Sequence, residues 1–149
     1  MKVINLKKSK RMAKIKVLQG LPASGKTTLA KKMIIDDPSF IRINRDDLRT
    51  MIYNYKYPDQ EGLIKMMELR CALEALDKGY SIIIDGINFS QNTIDRWKDI
   101  AHSRQCEFEV KYIFCPLETC IDRDSKRPNP VGENVIRGIY DQYLNIKKQ

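Results

Sequence analysis

GLPASGKT, residues 20–27, constrains this chain more than any other stretch. It fits G-x-x-x-x-G-K-[ST] at every specified position and lies between a strand-like and a helix-like segment. KIKVLQ (14–19) has strand character, and TTLAKKMII (27–35) reads as a helix that stops before Asp37-Pro38. A strand, a glycine turn and a helix in that order aim several backbone N–H groups at one point, and the helix dipole adds positive potential there. Gly20 and Gly25 allow a backbone path that side chains would obstruct, so the amides of Ala23, Ser24, Gly25, Lys26, Thr27 and Thr28 can surround a triphosphate. Lys26 would then reach the β and γ phosphates, and the Thr27 hydroxyl would ligate magnesium. The bland alternative is a Gly-Pro turn that happens to cap a helix. The flanking elements favour nucleotide binding, with ATP or another NTP as ligand.

The rest of the chain alternates strand and helix. FIRIN (40–44) reads as a second strand, residues 59–79 as a long helix with Gly79 as its stop, and SIIID (81–85) as a buried strand. SQNTIDRWKDIAHSR (90–104) resembles a helix capped by Ser90, FEVKYIFC (108–115) a fourth strand, and LETCIDRDSKR (117–127) a helix after Pro116. A last helix, roughly 133–147, follows RPNPVG. This alternation implies an α/β fold, a parallel sheet with helices on both faces.

With 149 residues, 42% apolar and 31% charged, the chain suffices for a single packed domain over residues 15–149. Apolar runs are only a few residues long, so no membrane span or signal core is expected, and a cytoplasmic location fits. Cys71, Cys106, Cys115 and Cys120 lack CxxC spacing and His102 is the single histidine, which excludes a recognisable zinc pattern and suggests free thiols. The net charge of +8 points less firmly to nucleic acid than it first suggests. Residues 1–14 hold six basic groups and no acid, which leaves +2 for residues 15–149. That basic segment reads either as a phosphate-seeking arm or as a solvated, disordered tail.

INRDDLRT (43–50) sets two carboxylates between two arginines just past the second strand. Locally this is an ordinary helix start: Asn44 can cap, acids suit the first turn, and Asp46 and Arg49 at i, i+3 can pair. In a doubly wound sheet, however, strand ends line the ligand crevice, so a segment leaving the second strand lies beside the phosphate loop. A hydroxyl attacking a γ phosphorus needs an acceptor for its proton, and an arginine can hold an anionic acceptor bidentately. Asp46 and Arg49 supply both.

GLPASGKTT, INRDDLR and DRDSKR, in this order and spacing, resemble the kinase module of the phage-type 5′-polynucleotide kinases, P-loop phosphotransferases with a helical lid. The resemblance covers nearly all of residues 15–145. It implies transfer of the ATP γ-phosphate, with Mg2+, to 5′-OH ends of DNA or RNA. It further implies that Asp46 is the general base, Arg49 the acceptor-phosphate arginine, Lys26 and Thr27 the phosphate-loop pair, Arg127 the catalytic lid arginine, and that Arg45 helps to hold the acceptor strand. Val131 matches a position where an apolar side chain touches the terminal base, although a hydrophobic staple into the last helix explains it equally well.

Two further stretches gain meaning from that likeness. In IDRDSKRPNP (121–130), Arg123 and Arg127 are four apart and should share a helical face, from which guanidinium groups can stabilise the transferring phosphoryl group. The alternative is a solvated helix end. SIIIDGIN (81–88) has the form of a strand whose terminal carboxylate, Asp85, orients magnesium directly or through water; an acid before glycine is also a common turn. The related kinases tend to have DTN where this chain has DGIN. No DxDGT phosphatase motif is present, so 3′-end processing is not expected from this sequence.

The expected chemistry is direct in-line transfer in which the positioning of Asp46 matters more than its basicity. Two other classes share some of these features. A small-molecule or mononucleotide kinase has the same loop and lid, and a non-catalytic nucleotide-binding module needs only the loop. DNA against RNA, strandedness, the base of the NTP and the oligomeric state have no local signature.

Overall fold

The computed structural model describes residues 11–52, 56 and 58–145. Residues 1–10, most of the basic segment, lie outside the described residues. The chain runs β1 (Lys14–Gln19), α1 (Lys26–Asp36), β2 (Phe40–Asn44), α2 (Arg45–Arg49), α3 (Glu61–Asp77), β3 (Ser81–Asp85), α4 (Gln91–Ser103), β4 (Glu107–Tyr112), α5 (Leu117–Ser125) and α6 (Glu133–Tyr143). The four strands pair in parallel in the order β2-β3-β1-β4.

Central position explains the composition of β3, which is buried along its whole length and reads as an unbroken isoleucine run rather than an alternation. The period of two still divides its residues between two faces. Ile15, Val17, Ile43, Ile82 and Ile84 pack with Ala72, Ala75 and Leu76 of α3 and with Trp97 and Ala101 of α4. Leu18 and Ile83 pack with Ala30 of α1 on the opposite face. A third cluster, Leu21, Cys115, Cys120 and Ile136, joins α5 and α6 to the start of the phosphate loop. The expected parallel sheet with helices on both faces is therefore the observed one.

Several boundaries differ from expectation for identifiable reasons. β4 stops at Tyr112 rather than residue 115, because its partner Gln19 is the last residue of β1 and the chain beyond turns into the loop. Lys14 is a strand residue paired with Glu107 and Glu109, not part of a tail. Ser90 stands at the N-cap of α4 without a side-chain capping bond. Helix α3 does end before Gly79, whose φ of +86° is the left-handed geometry of a glycine stop. The last helix ends at Tyr143. No helix among the described residues is long and apolar enough to cross a membrane.

Because β1, β2 and β3 are parallel, the phosphate loop, α2 and the DGIN segment all leave the same end of the sheet. That end carries the site.

Candidate active site

A cavity of about 460 Å³ opens there, lined by residues 22–28, by Asn44, Arg45, Asp46 and Arg49, by Glu68, by residues 85–90 and Thr93, and by Arg127, Val131, Val135, Ile139 and Tyr143. The phosphate loop is shaped by its glycines. A Cβ on Gly20 would come within 2.6 Å of Ser24 Oγ and 3.1 Å of the Ile113 carbonyl, and Gly25 caps α1 with φ +100°. Gly20 itself does not line the cavity; it lets the loop fold. The DGIN segment is tied to the same turn, since Asn88 Nδ2 donates to the carbonyls of Leu18 at 2.8 Å and Ile84 at 3.2 Å, and Gln19 Nε2 donates to the Asn88 carbonyl at 2.8 Å.

Lys26 sits in the loop with Nζ donating to the carbonyls of Gly20 at 2.8 Å and Leu21 at 2.6 Å and to Ser24 Oγ at 3.3 Å. Burial pulls its ammonium down from 10.5 to about 8, against the opposing attraction of Asp85. Arg127 and Asp46 also act on it through space, the first lowering and the second raising it, so both lie near its charge.

The Thr27 hydroxyl donates to Asp85 Oδ2 at 2.9 Å. The same oxygen accepts from Arg42 Nε at 2.8 Å and lies 3.4 Å from Asn44 Nδ2. The Asp85 side chain is 1% exposed, yet its Oδ1 has no hydrogen-bond partner. An orphaned, buried carboxylate oxygen beside a threonine hydroxyl suits a hard cation that takes oxygen ligands. No group of three or more His, Cys, Asp or Glu gathers among the described residues.

On α2 the local reading holds, and the helix also borders the cavity. Asn44 does cap the helix, its Oδ1 accepting from Asp47 N at 3.0 Å, and Arg49 NH1 does donate to Asp46 Oδ1 at 2.5 Å. Asp46 also faces the cavity, with its side chain 83% exposed. Both arginines are clasped from α3. Arg49 Nε and NH2 reach Glu61 at 3.2 and 2.6 Å, and Arg45 Nε and NH2 reach Glu68 at 3.0 and 2.9 Å. Such bidentate pairing fixes the plane of each guanidinium.

The two arginines expected on a lid part company. Helix α5 ends at Ser125, so Arg127 lies beyond it and lines the cavity. Arg123, within α5, turns instead to Cys115 Sγ at 3.6 Å and does not line the cavity; the expected shared helical face is not formed. The loop that carries Val131 is fastened by Asp124, a fully buried carboxylate that accepts from the backbone of Val131 at 3.0 Å and of Gly132 at 2.9 Å. Val131, Val135, Ile139 and Tyr143 form an apolar wall with Phe89, whose ring stacks on Tyr143 at 5.6 Å.

Sequence reading missed Arg42, Glu61, Glu68, Asn88 and Asp124. Glu68 had a signal: it falls on the stripe of Ile64, Ala72, Ala75 and Leu76 that α3 buries, where an acid demands a partner.

The family model described as an AAA domain matches residues 15–145. The chain belongs to the AAA domain family. Within that family its fold is the P-loop kinase fold, and the loop and helix dipole make it a nucleotide-binding chain. A protein of Schizosaccharomyces pombe named bifunctional polynucleotide phosphatase/kinase is 33% identical over 136 residues, covering 91% of this chain and 27% of its own length. A protein of Autographa californica nuclear polyhedrosis virus, named for polynucleotide kinase and RNA ligase, is 26% identical over 160 residues, covering 96% of this chain and 22% of its own length. A chain in the structure of the Pnkp1/Rnl/Hen1 RNA repair complex superposes with a TM-score of 0.75 at 27% identity, covering 93% of this AAA domain chain and 46% of that one. The chain thus spans about a quarter of the length of these two curated relatives.

Proposed function

We propose that this chain is a polynucleotide 5′-hydroxyl kinase that moves the γ-phosphoryl group of ATP, held with Mg2+, onto 5′-OH ends of DNA or RNA during end repair. One observation carries the reading: Lys26, Asp46, Arg49 and Arg127 line a single cavity at the strand ends. The names of the relatives and of the RNA repair complex support the acceptor class.

In this reading the loop amides and Lys26 hold the triphosphate, and Arg127 offsets charge on the transferring group. Thr27 and Asp85 would hold a magnesium ion, which would supply positive charge to offset that of the β and γ phosphates. Asp46 orients the 5′-hydroxyl. Its oxygen attacks the γ phosphorus in line, its proton passes to the Asp46 carboxylate, and the bond from that phosphorus to the β–γ bridging oxygen breaks, releasing ADP. Arg49, its plane set by Glu61, grips the phosphate next to the terminal nucleoside, Arg45 supports the strand, and Val131 on the apolar wall meets the terminal base.

The test offers γ-labelled ATP and Mg2+ with 5′-OH DNA and RNA oligomers, a 3′-mononucleotide and a panel of sugars. Label should appear on oligomer ends; equal kcat/KM for a sugar would assign the site to a small-molecule kinase. Asp46→Asn should abolish transfer while ATP affinity, measured by calorimetry, stays within about twofold. Near-normal transfer by that variant would refute the role of Asp46.

A further inference from the structure

Arg42 stands in the middle of β2 with its side chain only 9% exposed. A charge so placed requires matching charge around it. Two carboxylates provide it, Asp85 through Oδ2 to Nε at 2.8 Å and Asp47 through Oδ2 to NH1 at 2.5 Å. One rigid guanidinium therefore joins the end of β3 to the first turn of α2, beside Asp46. On the Asp85 side, Oδ2 already serves Arg42 and Thr27 while Oδ1 is buried and unmatched.

We propose that Arg42 is a positioning residue: by holding Oδ2 of Asp85 it leaves Oδ1 to meet the magnesium shell, and by also holding Asp47 it fixes α2, with Asp46, relative to that shell. The inference rests on the kinase reading above. Arg42 does not line the cavity and acts only through the two carboxylates. Lysine cannot replace it, because one ammonium lacks the fork that spans both partners.

The experiment uses the full chain with Arg42→Met, Arg42→Lys and Asp47→Asn. Mn2+ binding in the presence of a non-hydrolysable ATP analogue is followed by electron paramagnetic resonance, alongside acceptor KM. Arg42→Met should weaken Mn2+ binding about tenfold, the scale on which groups that orient metal-side carboxylates act, while metal-free nucleotide affinity stays within about twofold. Asp47→Asn should leave Mn2+ binding unchanged and raise acceptor KM. If Arg42→Met does not fold, Arg42→Lys decides, with Mn2+ binding weaker by about threefold or more. A folded Arg42→Lys with wild-type Mn2+ affinity and wild-type acceptor KM overturns the proposal, as does an Asp47→Asn variant identical to wild type in KM. Loss of the kinase reading is a separate result, seen as absence of transfer by the wild-type chain.

Discussion

Lys26 is held by three loop acceptors in a place that disfavours its charge, and its ammonium titrates at about 8 instead of 10.5. Nucleotide phosphates favour the protonated form and would raise that value in the complex. The sign follows. Below about pH 8 the ammonium is already present and ATP binding takes up no proton at this site. Between that value and the higher one in the complex, binding must take up a proton, so affinity falls by up to about tenfold per pH unit. Calorimetry at pH values on either side of 8, in buffers of differing ionisation heat, should show proton uptake only on the alkaline side, and Lys26→Met should abolish the step. For the protein alone the folded group loses its proton before the unfolded one does. The burial penalty is thus fully present below about 8 and relieved as pH rises toward 10.5. The identity of this residue was legible in GLPASGKT, but its depressed ammonium was not, because burial comes from contacts the loop sequence does not name.

At the scale of elements, the site depends on pieces too short to stand alone. Helix α2 has five residues, well under the length at which an isolated helix persists. Its Asn44 cap and the clasps of Arg45 and Arg49 by α3 hold it in place. The α5–α6 loop depends in the same way on Asp124, whose two oxygens take two backbone N–H groups. Asp124→Asn keeps one acceptor and turns the other into a donor facing an N–H. A hydrogen bond to a charged group contributes about 1.5–3 kcal/mol, so the variant should lower Tm by several degrees. Hydrogen exchange should quicken around residues 126–132, and KM for ATP should rise as Arg127 loses its placement; unchanged exchange there would show that the loop is held by other means. Elements set by their own pattern were readable. β1, β2 and β3 match their expected ranges because apolar runs between turn residues leave little choice. β4 and α5 did not match, since their ends are decided by where β1 turns away and by a loop fastened from Asp124.

Across the whole molecule, charge is balanced locally at the site. Arg42, Arg45 and Arg49 each face a carboxylate from another element, separated in sequence by 43, 23 and 12 residues. Pairings across such separations cannot be read from a local pattern, which is why the i, i+3 pair of Asp46 and Arg49 was legible while Arg42, Glu61 and the partner of Glu68 were not. In the proposed kinase reading, the same balance would determine how an acceptor is drawn in. With +2 on residues 15–149 out of a net +8, the domain has little long-range field, and acceptor phosphates should be felt mainly through Arg49 and Arg45. Each neutralised phosphate on a single strand contributes a slope of about −0.7 in log affinity against log salt, so a short 5′-OH oligomer should show about −0.7 to −1.4. Deleting residues 1–10, which carry Lys2, Lys7, Lys8 and Lys10, should leave that slope unchanged for a dinucleotide and for a twelve-residue oligomer alike if the segment is a solvated tail. A steeper slope for the longer oligomer that flattens on deletion would instead make the segment a phosphate-seeking arm, because only contacts beyond the cavity scale with acceptor length.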